Sequence, residues 1–92
     1  MLYTKKEVLG KWGFVNEKNE PICKFIYDEV RDFSEGIAAV RIDNKWGYIN
    51  ENGSQICEIR YEAVGDFQSK LGVVDKEGKR CYLNTSGEEV TV

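Results

Sequence analysis

"NKWGYINENG", residues 44–53, decides how this chain reads. It holds one of the two Trp in 92 residues, followed at fixed offsets by Gly47, Tyr48, Asn50 and Gly53. The same pattern stands 34 residues earlier, where Trp12-Gly13 is followed by Phe14, Asn16 and Asn19. Aligned without gaps, residues 12–45 and 46–79 share twelve identities in 34 positions. They include Ile22/Ile56, Cys23/Cys57, Tyr27/Tyr61, Val30/Val64, Asp32/Asp66 and Phe33/Phe67. A third passage, "KRCYLNTSGEEV" (79–90), keeps the register through Tyr82, Asn84 and Gly87. A fixed period of this length marks a repeat architecture.

The turn positions say what each repeat is made of. Gly10, Asn44 and Gly78 are equivalent, as are Asn19, Gly53 and Gly87. All six are residues that tolerate positive φ. Two such positions per repeat, separated by a short alternating segment, predict two hairpin turns. "DNK" and "EGK" read as two-residue tips, and "NENGS" as a longer loop with Gly53 in a G1 bulge. Strand A is then 36–42 with a copy at 71–76. Strand B is 45–50 with copies at 11–16 and 79–84. Strand C is 55–58 with copies at 21–24 and 89–92. The segments are rich in β-branched and aromatic residues, as strands prefer. Between units run the connectors 25–35 and 59–69, where Tyr27, Val30 and Phe33 recur every third residue. That spacing is compatible with a single helical or 3₁₀ turn.

The expected fold is therefore all-β: three tandem three-stranded antiparallel meanders, about 2–24, 36–58 and 70–92, forming one domain as an extended twisted sheet or short β-solenoid. A closed propeller or barrel is the alternative topology, but three small units close poorly. The initial Met, and an end that coincides with the third strand C, suggest a complete small protein. Lys5, Lys6 and Glu7 in the first strand A, and Glu88-Glu89 before the last strand C, would discourage pairing at the open edges.

Composition narrows the function classes. Apolar residues make up 41% and aromatics 12%, enough for a core. The net charge of −3 argues against nucleic acid or an anionic membrane as partner. No apolar run approaches the roughly 20 residues of a membrane helix. The first ten residues, "MLYTKKEVLG", carry no secretory h-region, and the three widely spaced Cys suit a reducing cytoplasm. His is absent, which removes the commonest general base and metal ligand. No phosphate-binding glycine loop, nucleophile elbow, zinc-binding His pair or C-x-x-C occurs. Neither a cofactor nor a metal is expected.

Lys-Trp-Gly-aromatic-aliphatic-Asn at 45–50, the Asn-Gly turn at 52–53, Tyr-x-x-Val-x-Asp-Phe at 27–33 and "GIAA" at 36–39 together resemble the bacterial WG-repeat family. The resemblance covers nearly the whole chain. It implies an all-β repeat fold and a binding role, with no catalytic residues to carry over. The third unit departs from the pattern with Arg80-Cys81 in place of Trp-Gly, and the first with "MLYTKKEV" in place of a Gly-small-small start. "KWGYINENGSQI" also resembles, more distantly, the hairpins of choline-binding repeats, whose aromatics cage a quaternary ammonium.

The candidate residues are Trp12, Gly13, Trp46, Gly47, Tyr27, Phe33, Tyr61 and Phe67, structural first and interacting second. Trp46 and Tyr48 should face one side of strand B and Gly47 and Ile49 the other, so that the sheet is covered on both faces. Trp46-Gly47 reads as a packing unit, a ring over a glycine backbone. Arg80-Cys81 then marks a terminal unit with no neighbour to pack against. Cys23 and Cys57 read as small buried residues. Cys81, beside Arg80, is the candidate for a reactive thiol. Asp32 and Asp66 read as carboxylates accepting backbone N–H bonds in a turn, or as cation or partner contacts. The function expected is a non-catalytic protein-binding module, with a small bacterial or phage-encoded inhibitor or adaptor as one form. The alternative is a choline- or carbohydrate-like ligand binder using exposed aromatics.

Overall fold

The computed structural model describes residues 3–90. The outermost residues of the first and third meanders, among them 91–92 of the last strand C, lie outside this range. The described chain is all-β, antiparallel throughout, without a helix, and not closed into a barrel. It measures 39 × 27 × 15 Å.

Hairpins at the predicted A–B positions form the backbone of the fold. β1 (Thr4–Val8) pairs with β2 (Lys11–Val15), β4 (Ile37–Ile42) with β5 (Lys45–Asn50), and β7 (Gly72–Lys76) with β8 (Lys79–Leu83). Their tips have positive φ at Leu9-Gly10, at Asp43 and at Glu77-Gly78. The predicted longer loops follow strand B. In each, one Asn side chain organises the turn: Asn16 Oδ1 accepts from Lys18 N and Glu20 N, Asn50 Oδ1 from Asn52 N and Ser54 N, and Asn84 Oδ1 from Ser86 N and Glu88 N. Asn19, Gly53 and Gly87 take positive φ (64°, 80° and 84°) in these loops, as a G1 bulge requires.

Two expectations are corrected. The connectors carry no helical turn. Each crosses from one unit to the next in extended form. Tyr27 bridges Trp12 of β2, and two residues later β3 (Glu29–Val30) pairs with the outer edge of β4. Tyr61 likewise bridges Trp46, and β6 (Ala63–Val64) pairs with β7. The chain then reverses at Glu35-Gly36 (φ 55° and 79°) and Ser69-Lys70 (51° and 66°) into strand A. Each connector is thus the first strand of the following sheet. The strands accordingly sort into three sheets of two, three and four strands, β1-β2, β3-β4-β5 and β6-β7-β8-β9, rather than one extended sheet. The second correction concerns strand C. At 21–24 and 55–58 it shrinks to single bridges, Pro21 to Val15 and Gln55 to Ile49, because the chain leaves the sheet to become the connector. Only the third copy, β9 (Glu89–Val90), pairs as a strand, with β8.

The core lies between successive units. β4 alternates: Ala38 and Val40 join Phe14, Tyr27, Val30 and Ile49 in a cluster toward the first unit. Ile37 and Ala39 join Trp46, Tyr48, Tyr61, Val64, Phe67, Val74 and Leu83 in a cluster toward the third. The middle sheet is therefore apolar on both faces, and β5 carries Trp46 and Tyr48 on one and Ile49 on the other. β1, by contrast, is exposed along its whole length.

Candidate functional site

The sequence-predicted aromatics are brought together in the two inter-unit clusters. Trp46 retains 8% exposure. The Arg31 guanidinium lies 4.5 Å from its ring centroid, and its backbone N donates to Tyr61 O at 2.7 Å. Trp12, in the outermost hairpin, is half-buried and exchanges the same backbone bonds with Tyr27. Tyr27, Tyr61 and Phe67 are buried, and Phe33 is half-buried. Gly13 and Gly47 do not sit beneath the Trp rings. A Cβ on Gly13 would lie 3.1 Å from the Phe25 ring, and one on Gly47 would lie 2.8 Å from Ile59 Cγ1 and 3.0 Å from Ile59 Cα. The glycine serves the opposite face, where the connector begins. Trp and Gly form a pair because one chain packs against both sides of strand B. Among the described residues no connector crosses Arg80-Cys81 in the third unit. Arg80 is exposed beside Asp75 (3.6 Å), and Cys81 is half-buried.

A second repeated constellation is aromatic. Phe33 packs edge-on against Phe14 (4.7 Å, 63°) and tilted against Tyr3 (5.0 Å). Phe67 packs edge-on against Tyr48 (4.8 Å, 83°), whose hydroxyl donates to Gly65 O at 2.6 Å. Burial pushes the Tyr48 hydroxyl well above the ordinary tyrosine range, so it stays a donor. Burial also pushes the Cys23 and Cys57 thiols up, which disfavours the thiolate.

Three residues that fasten one connector to the next have no repeated counterpart. Arg31 Nη1 donates to Val64 O (2.8 Å), Ser34 Oγ donates to Phe67 O (2.7 Å), and the Glu35 carboxylate accepts from Ser69 N (2.9 Å) and Lys70 N (2.7 Å). Their equivalents are Gly65, Gln68 and Ser69. Looking for recurring letters passes over them. The turn role expected of Asp32 belongs instead to Glu35, since the Asp32 side chain is 82% exposed and meets Lys5 at 3.8 Å.

Close nesting also joins the units. A Cβ on Gly53 would lie 1.8 Å from Ile22 O, and one on Gly87 would lie 1.7 Å from Ile56 O. Each loop is therefore seated on the preceding unit. The family model for the WG containing repeat matches twice, at residues 12–46 and 46–79. The chain belongs to the WG-repeat family. No curated protein and no solved structure matches it. In this WG-repeat chain both matches begin on a Trp, Trp12 and Trp46. The described residues hold no group of three or more His, Cys, Asp or Glu placed to share a metal ion. Among the described residues, shallow cavities open at the third unit and beside Asn16.

Proposed function

We propose that this chain is a non-catalytic protein-binding module, a short open solenoid of bacterial origin acting in the cytoplasm on another protein, as an adaptor or an inhibitor. The observation that carries this reading is where the aromatics sit. Tyr27, Tyr48, Tyr61, Phe14 and Phe67 are each 2% exposed or less. Rings held this way cannot cage a quaternary ammonium without opening the core, which favours a protein surface over a small-ligand cage. The exposed surface is instead a set of strands, loops and open edges of mixed charge, the kind of broad relief that repeat proteins present to macromolecules. The acidic balance disfavours nucleic acid and anionic membrane as partners.

The test is affinity capture from an extract of the source organism, with the purified partner then titrated against the chain. Saturable, stoichiometric binding of one protein is expected. A parallel choline titration followed by Trp fluorescence should leave the emission unchanged. A saturable shift there, without any protein partner, would replace this function with the ligand-binding one.

A further inference from the structure

Among the described residues, the first two units each hold a phenylalanine of the next connector in a socket, and the socket of the third is open. In the first, Tyr3 and Phe14 hold Phe33. In the second, Ile37, Ala39 and Tyr48 lie buried in one cluster with Phe67 and Val64. The equivalent residues of the third unit are Leu71, Val73 and Tyr82. All three are only half-buried, whereas Ile37, Ala39 and Tyr48 are 6%, 2% and 1% exposed. Leu71, Val73 and Tyr82 line a cavity of about 380 Å³ together with Gly65 and Gln68. A second cavity, about 270 Å³, shares Gly65 and Val73 and reaches Arg80. Its position corresponds to the place beside Trp46 that the Arg31 side chain fills one unit earlier. With Gly65 at the Arg31 position, that space is left free.

We propose that this open socket is a docking site for an extended segment of a partner protein carrying Val-x-Asp-Phe or a close equivalent. The chain's own connectors identify the occupant. "VRDF" (30–33) and "VGDF" (64–67) each bury a Val in the cluster shared with the preceding unit and set a Phe against the aromatic of that unit's strand B. On the third unit the incoming Phe would meet the edge of Tyr82 and the side chain of Leu71. The Tyr82 hydroxyl would donate to a partner main-chain carbonyl, as Tyr48 does to Gly65 O. The 270 Å³ space admits a side chain larger than the Gly65 of the internal segment. A ring entering a socket between Leu71, Val73 and Tyr82, with a main-chain carbonyl of its segment accepting from the Tyr82 hydroxyl, has the form of an interface hot spot.

This inference deepens the protein-binding function and rests on it. The test uses the full chain, labelled for NMR, titrated with a synthetic peptide of the sequence of residues 59–70. Saturable shifts are expected at Gly65, Leu71, Val73 and Tyr82. They should vanish for the same peptide with Ala in place of its Phe. Tyr82→Ala and Leu71→Ala should each weaken binding by about tenfold or more. Circular dichroism and melting identify which variant keeps the fold, and one folded variant suffices. Three results overturn the proposal: no shifts at millimolar peptide, shifts confined to the second socket at Ile37 and Tyr48, or unaltered binding by a folded variant. If a captured partner still binds Tyr82→Ala normally, the socket is wrong and the protein-binding function stands. If no partner binds at all, that function itself fails.

Discussion

Trp46 and Gly53 show how much a single position decides. Trp46 joins β5 to the next connector through its backbone and fills the cluster between the second and third units with its ring. Trp46→Ala should cost about 3–5 kcal/mol, a large share of the about 5–15 kcal/mol that holds a domain folded. Urea denaturation reads this directly, and an unchanged midpoint would exclude a core role. Gly53→Ala meets two obstacles at once: a φ of 80° and a backbone oxygen 1.8 Å from the new Cβ. Gly10→Ala meets only the first, since nothing lies within 4 Å of its Cβ. The Gly10 variant should lose about 1 kcal/mol and the Gly53 variant clearly more, measured side by side by thermal melting. Asn16, Asn50 and Asn84 were legible in the sequence because each does the same local work in its own loop. Arg31, Ser34 and Glu35 were not. Their partners are main-chain atoms of residues 64–70, which any sequence supplies, so nothing in the partner segment announces them.

Among the elements, the connectors explain most of what the sequence hid. Tyr27, Val30 and Phe33 are three apart, which suits one face of a helix. In the fold they serve different neighbours: Tyr27 bridges Trp12 behind it, and Val30 pairs with Val40 ahead. The spacing records a crossover between two sheets. The A–B hairpins were readable because their alternation and tip residues are local properties, while edge pairing by a connector depends on where the next unit lies. Strand C differs for a similar reason: "PICK" and "QICE" have the composition of strands but are already leaving the sheet. Asp28 secures one crossover. Its carboxylate accepts from the Lys11 ammonium and from Asp43 N (2.6 Å), tying β3 to β2 and to the β4–β5 tip. These contacts, Lys11 first, hold its carboxyl below the usual range. A lowered folded value means stabilisation present above about pH 4 and lost as the pH falls through the folded pKa. Urea midpoints between pH 6 and pH 3 should fall less steeply for Asp28→Asn than for the parent chain. Equal slopes would remove Asp28 as the cause.

The whole molecule is graded from end to end. The middle sheet is buried on both faces, the first hairpin has a fully exposed strand, and the third unit has an open socket. Stability in such an array should follow the number of neighbours each unit has. Amide exchange should be slowest in β4 and β5 and fastest in β1. Uniform protection across all three sheets would instead mean that the array opens only as one block. The nested glycines add a constraint of another kind. Gly53 and Gly87 seat their loops on a preceding carbonyl, whereas a Cβ at the tips Gly10 and Gly78 would meet nothing within 4 Å. Length variation is therefore confined to one rim. An inserted peptide, tag or reporter at residue 10 or 78 leaves every seat in register, while a single added residue at 53 or 87 unseats one unit from the next.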